Sequence, residues 1–164
     1  MRIRVGLGYD VHPFGGDGAL VLGGITIEGA GLAGHSDADV VAHAVADAVL
    51  GAAGLPDIGT LFPASDDRFR GASSIALLRD VADRVRISGC WIGNVDVVIA
   101  AERPALAAHV EQMSKNLAEA LRAGAEPMGG GVAVSVKAKR GEGVGAIGRG
   151  EGIAVWAVAL LERG

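Results

Sequence analysis

The chain has 164 residues, 27 of them glycine, a single cysteine and a formal net charge of −4, which suits one domain, residues 1–164, around a single core. The acidic balance argues against a nucleic-acid surface, and apolar runs end well short of the roughly 20 residues that a membrane span needs. Cys90, being alone, can form no internal disulfide or thiolate metal cluster, and with no charged-then-apolar leader before Arg2 the expected setting is cytoplasmic.

Arg2 to Tyr9 alternates Ile3, Val5 and Leu7 with smaller or polar residues, as a strand does. Asp10 and His12 follow at its end, two apart and therefore on one face. After an excursion through Gly15-Gly16-Asp17-Gly18, Leu20-Val21-Leu22 and Ile25-Thr26-Ile27 flank Gly23-Gly24, a two-residue connection that reads as a tight hairpin. Ser36 or Asp37 suits the cap of a helix whose stripe, Val40 to about Ala53, stops at Gly54. On that helix Asp39, His43 and Asp47 stand four apart. Taken alone this trio reads as a solvated polar face; the Asp10 and His12 pair turns it toward a metal.

Leu55 to Gly71 lacks periodicity and reads as a long loop. Ser73 or Ser74 opens a helix with Ile75, Leu78, Ala82 and Val85 inward. Cys90 reads as a small apolar residue opening the strand that carries Val95, Val97 and Ile99. Pro104 suits the first turn of a helix buried through Leu106, Val110, Met113, Leu117 and Leu121, with His109 at the surface or partly buried on it and no acidic or histidine partner at ligand spacing. Val132 to Val136 and Ile153 to Leu161 are strands, the last apolar on both faces and so central or covered. Gly143 to Gly148 spells GxGxxG, but it leads into β-branched residues and no acidic ribose ligand follows, so a dinucleotide site is not expected. This order gives an α+β fold, a mixed sheet covered on one face by about three helices. The other face needs a cover, which self-association would supply.

Asp10, His12 and His43 offer one carboxylate and two imidazoles. They fill three corners of a tetrahedral site, the make-up of a catalytic zinc centre with one open position, and another divalent transition metal would also suit them.

Several motifs in one order, Gly8-Tyr9-Asp10-Val11-His12, His35-Ser36-Asp37, Ala42-His43-Ala44, Asp57-Ile58-Gly59, Leu61-Phe62-Pro63, Gly93-Asn94-Val95-Asp96, Arg103-Pro104 and Gly148-Arg149-Gly150-Glu151-Gly152, resemble those of the 2-C-methyl-D-erythritol 2,4-cyclodiphosphate synthase family of the non-mevalonate isoprenoid pathway. The resemblance implies a homotrimer with active sites at subunit interfaces. It also implies a metal-dependent lyase that closes 4-diphosphocytidyl-2-C-methyl-D-erythritol 2-phosphate to the cyclodiphosphate and releases CMP. By the same resemblance Asp10, His12 and His43 hold zinc, and Glu142 supports Mg2+ or Mn2+ at the diphosphate. His35, Ser36, Asp57, Ile58, Gly59, Phe62 and Asp66 serve the methylerythritol phosphate part, with His35 stabilising the transition state. Ala101, Pro104, Ala105, Leu106, Ala107, Ala138, Lys139 and Arg140 form the cytidine pocket. Arg149 faces an axial cavity that can hold an isoprenoid diphosphate.

The chain departs from that pattern at Lys139-Arg140-Gly141, where the family usually has consecutive threonines, and at Ala105 and Ala146, where relatives often carry lysine and a large aromatic. The resemblance assigns the middle threonine to phosphate contact and transition-state stabilisation, a catalytic role that Arg140 suits by charge-assisted hydrogen bonds, and Arg140 would equally crowd a nucleotide. Beside the synthase stand two other readings: a trimeric metal- and nucleotide-binding homologue impaired in catalysis, and a phosphohydrolase using metal-bound water.

Overall fold

The computed structural model describes residues 2–125 and 131–164. Five strands, β1 (Arg2–Leu22), β2 (Ile25–Leu32), β3 (Cys90–Ala100), β4 (Ala133–Lys139) and β5 (Gly152–Arg163), form one sheet in the order β2-β1-β5-β3-β4. Only β3 and β4 run parallel, so the sheet is mixed, and the apolar β5 is central. Helices α1 (Val40–Ala53), α3 (Ser74–Ile87) and α4 (Val110–Leu121) pack on one face, and α2 (Ile58–Leu61) and α5 (Gly145–Gly148) are single turns. This is the single-domain α+β fold expected. Among the described residues no helix is long and apolar enough to cross a membrane.

Strand β1 is unusual in what it turns inward. Its alternation puts Gly6, Gly8, Asp10 and His12 toward the helices, while Ile3, Val5 and Leu7 point outward and remain 65–67% exposed. A Cβ on Gly6 would lie 2.0 Å from the carbonyl oxygen of Ala48, and one on Gly8 would lie 1.9 Å from that of Ala44. The two glycines therefore let the α1 backbone rest directly on β1. Opposite them α1 presents Ala44, Ala48 and Ala52, spaced by four and all buried. The result is a seam of small residues that holds helix and strand at backbone contact.

Asp39 fixes the start of that helix. Its carboxylate is fully buried and accepts the amides of Val41 and Ala42 at 3.1 Å, together with those of Gly23 and Gly24 in the hairpin turn at 2.9 and 2.7 Å. Burial pushes its pKa up, opposed by those amide donors. Gly23 and Gly24 have φ of +56° and +72°, the left-handed pair that a two-residue hairpin turn requires. One side chain thus caps α1 and ties the hairpin to it.

Four expectations change. The helix cap is Asp39 in place of Ser36 or Asp37. Strand β1 runs unbroken to Leu22, because its glycines allow register shifts against β2 between Phe14 and Leu20 rather than a loop. Leu55 to Gly71 contains α2, capped by Asp57, and a 3-10 turn capped by Asp66. Helix α4 begins at Val110: Leu106 is buried from the preceding loop, and its spacing to Val110 and Met113 only imitates a helical stripe.

The outer face collects Ile3, Val5, Leu7, Tyr9 and Val11 with Trp156 and Val158 of β5, and the Tyr9 and Trp156 rings lie 5.2 Å apart between centroids. A contiguous exposed apolar stripe of this kind has the character that interaction surfaces share.

The seam predicts opposite effects for two glycine-to-alanine changes. Gly8→Ala should lower unfolding stability by about 3 kcal/mol through overpacking against the α1 backbone. Gly51→Ala, where a Cβ meets nothing within 4 Å, should raise it by about 0.5–1 kcal/mol. Urea denaturation of both variants checks this.

Candidate metal centre and adjoining cavities

The seam delivers three side chains to one point. Asp10 and His12 leave β1 on its helix-facing side just past Gly8, and His43 leaves α1 one residue before Ala44. Asp10 Oδ2 lies 3.0 Å from His12 Nε2 and 3.1 Å from His43 Nδ1. An ion with bonds of about 2.0–2.1 Å in tetrahedral geometry keeps its ligand atoms roughly 3.3 Å apart. The separations fit.

The hydrogen-bond inventory also calls for a cation. His12 Nδ1 is 2.6 Å from the Ala33 carbonyl oxygen, which can only accept, so this nitrogen carries hydrogen. In a neutral ring Nε2 then turns a lone pair toward a carboxylate oxygen, which is favourable only with a proton or a metal between them. The charge distribution agrees. Burial alone would raise the Asp10 carboxyl, but the His12 and His43 rings, when protonated and so both hydrogen-bonded to it and positively charged, hold it well below the usual carboxylate range. The bond to Asp10 raises His12 against the opposing effect of burial. Asp10, His12 and His43 are a group that could hold a metal ion, found among the described residues.

Asp39 and Asp47, the carboxylates one turn either side of His43, do not contact its ring. Asp39 is the helix cap, and Asp47 accepts the Ile58 amide at 2.8 Å, fixing α2. Burial raises the Asp47 carboxyl. The far nitrogen of His43, Nε2, instead lies 2.9 Å from Ser74 Oγ and 3.1 Å from Ser36 Oγ. Ser74 had the sequence signature of a helix start only, and nothing in the pattern pointed it toward α1.

A cavity of about 210 Å3 opens beside the cluster. Of the residues picked out by sequence, Asp10, His12, His35, Ser36, His43, Asp47, Ile58, Gly59 and Phe62 line it; Ala64, Phe69 and Leu77 also do, and were not among the candidates. Asp57 and Asp66 cap the short helices at its edge, and the Asp66 carbonyl oxygen is 3.3 Å from His35 Nε2. Phe62 and Phe69 meet edge to face at 5.3 Å.

A second cavity of about 220 Å3 gathers Ala101, Pro104, Ala105, Leu106, Ala107, Ala138, Lys139 and Arg140, with Glu102, inside the expected 101–107 stretch, also in its lining. Arg140 Nη2 donates to Glu102 Oε1 at 2.6 Å, while Glu102 Oε2 is buried with no hydrogen-bond partner among the described residues. The two cavities share no lining residue. Glu142 and Arg149 lie outside both: Glu142 is exposed with φ of +52°, and Arg149 donates to Glu151 at 2.6 Å.

If the cluster holds zinc, chelator-treated protein should regain stability on zinc addition, by about 2.7 kcal/mol at a free concentration one hundred times Kd. Asp10→Ala should abolish that increment, as read by thermal unfolding with and without metal.

Comparison with known proteins agrees with the fold. The YgbB family model matches residues 3–162. A relative from Anaeromyxobacter sp. (strain Fw109-5), named "Bifunctional enzyme IspD/IspF", is 54% identical over 161 residues, which cover 98% of this chain and 40% of the relative, so the chain spans well under half its length. A relative from Pectobacterium atrosepticum, named "2-C-methyl-D-erythritol 2,4-cyclodiphosphate synthase", is 52% identical, covering 97% of this chain and 93% of its own. Among solved structures, "IspF (Plasmodium falciparum) CDP complex" superposes with a TM-score of 0.80 at 33% identity, covering 98% of this chain and 96% of that one. With a match from the third residue to within two of the last, on a fold shared with these relatives, the chain belongs to the YgbB family.

Proposed function

We propose that the protein is a 2-C-methyl-D-erythritol 2,4-cyclodiphosphate synthase, working in the cytoplasm with residues 1–164 as one synthase domain. The observation that carries this reading is the Asp10, His12 and His43 cluster opening onto a cavity with His35, Ser36, Ile58, Gly59 and Phe62 in its wall. The named relatives and the CDP complex of one of them support the substrate class.

The substrate folds so that an oxygen of its 2-phosphate attacks the β-phosphorus, the bond from the β-phosphorus to the α–β bridging oxygen breaks, and CMP leaves. A phosphate monoester is already anionic near neutral pH, so no strong general base is needed. The work is to bring anions together in line, where orientation supplies much of the rate. Zinc or another divalent transition metal bound by Asp10, His12 and His43 would supply Lewis-acid polarisation of the β-phosphate and a fixed template. Glu142, a single exposed carboxylate, would help hold Mg2+ or Mn2+, which would supply charge neutralisation at the diphosphate.

The chain's own residues do the positioning. Ser36, Asp57, Ile58, Gly59, Phe62 and Asp66 hold the methylerythritol phosphate end, and His35 stabilises charge in the transition state. Ala101, Pro104 to Ala107, Ala138 and Lys139 cradle the cytidine. Arg140 has used one Nη2 hydrogen on Glu102, and its remaining donors are available to a phosphate. The two cavities of one chain are separate, and the exposed stripe on β1 and β5 fits a homotrimer in which the nucleotide cavity of one copy faces the metal cluster of another. Arg149 then faces the axial cavity of that trimer, where an isoprenoid diphosphate can bind.

Phosphorus NMR of the protein with the cytidyl substrate, zinc and magnesium tests the reaction. Cyclodiphosphate with equimolar CMP, lost on chelation, is expected; bound but unchanged substrate would leave a binding protein, and open-chain phosphates a hydrolase. Arg140→Thr should lower turnover about tenfold, the effect of losing one charge-assisted hydrogen bond. A rise in turnover would mark Arg140 as an obstruction.

A further inference from the structure

His43 is held from its far side by a relay whose direction can be worked out atom by atom. The Asp37 carboxylate accepts the Ser74 hydroxyl through Oδ1, the Asp39 amide at 3.2 Å through the same oxygen, and the Ser74 amide at 3.0 Å through Oδ2. An ionised carboxylate only accepts, so the Ser74 hydroxyl hydrogen is committed to Asp37. Ser74 Oγ then has only lone pairs left for His43 Nε2 at 2.9 Å, and Nε2 must be the donor. Ser36 Oγ, 3.1 Å from His43 Nε2, 3.2 Å from Ser74 Oγ and itself accepting the Ala38 amide at 3.3 Å, fits the same direction by donating to Ser74 and turning a lone pair toward the Nε2 hydrogen.

The consequence appears on the other edge of the ring. With hydrogen fixed on Nε2, Nδ1 turns its lone pair toward Asp10 Oδ2, 3.1 Å away. We propose that Asp37 and Ser74 are positioning residues for the metal centre: the chain from Asp37 through the Ser74 hydroxyl to His43 Nε2 keeps hydrogen off Nδ1 and so makes Nδ1 the metal-binding nitrogen. This rests on the reading of Asp10, His12 and His43 as metal ligands. Ser74 is 1% exposed, and Ser73, the residue before it, already caps α3. Its hydroxyl is therefore not needed to start the helix. A hydroxyl backed by a carboxylate also places negative charge behind the ring and makes its free nitrogen a better donor to a cation. His12 is treated more simply, by one backbone carbonyl. The relay further couples α3 to α1, because Asp37 is bound by both the amide and the hydroxyl of the first α3 residue.

Ser74→Ala removes the relay and leaves the Ser74 amide bond to Asp37, so α3 keeps its anchor. Ser74→Thr retains the hydroxyl. Asp37→Asn can present an NH2 to Ser74 Oγ, which turns the hydroxyl toward His43 and reverses the direction. Zinc affinity, measured by competition with a chromophoric chelator, should fall roughly 10–100-fold in Ser74→Ala and Asp37→Asn and recover in Ser74→Thr. Nitrogen-15 NMR of the histidine side chains should show His43 Nε2 carrying hydrogen in the unsubstituted protein with and without zinc, and losing it to Nδ1 in Asp37→Asn. Affinities within about twofold of the unsubstituted protein in both weakened variants, or an Nε2 without hydrogen in that protein, would overturn the relay. Failure of the unsubstituted protein to bind zinc would overturn the metal reading instead, and the zinc-free NMR spectrum would still decide the relay.

Discussion

The backbone contact between α1 and β1 is the constraint on which the rest depends. Helices normally stand about 10 Å from a sheet, separated by side chains. Here Gly6 and Gly8 remove the side chains on the strand, and Ala44, Ala48 and Ala52 reduce them on the helix. That approach lets the short side chain of Asp10 and the two imidazoles converge without a loop to carry any of them. A site on rigid elements holds its geometry better than one on loops. The same choice has a cost on the other face. With glycine inward, the large residues of β1 fall outward by the strict alternation of a strand, and Ile3, Val5 and Leu7 form an uncovered apolar stripe. One sequence pattern thus sets both the candidate site and the exposed apolar stripe.

Around the cluster, polarity is arranged by acceptors. The Ala33 carbonyl lies behind His12 and the Asp37-backed Ser74 hydroxyl behind His43, while both rings face the same carboxylate oxygen. Such a ring of acceptors with too few hydrogens is stable only around positive charge, which links the hydrogen-bond geometry directly to cation binding. The acidic clamp at Asp39 lies nearby but acts differently. Its four amide donors serve the helix start and the hairpin, so its charge is absorbed structurally.

Much of this was legible in the sequence because strand alternation and helix periodicity are local rules. They paired Asp10 with His12, bounded α1 at Gly54, located the Gly23-Gly24 turn and put β5 in the middle of the sheet. What escaped depends on contacts distant in sequence. Asp39 looked like a member of a polar helix face, but it is buried because the hairpin packs over the helix start. Ser74 looked like a start signal, and its bond to His43 exists only once α3 is laid against α1. Leu106 matched a helical stripe by spacing while being delivered by a loop. Glu102 carried no motif at all, and its role as the partner of Arg140 appears only when β3 and β4 are seen side by side.

A cation held by Asp10 and His12 of β1 and by His43 of α1 is the central claim. Crystals of the protein grown with zinc, with anomalous diffraction data collected at the zinc absorption edge, test it most directly. A single strong peak within about 2.0–2.2 Å of Asp10 Oδ2, His12 Nε2 and His43 Nδ1 is the result expected. No peak there, or zinc bound through His43 Nε2 with Ser74 displaced, would contradict it.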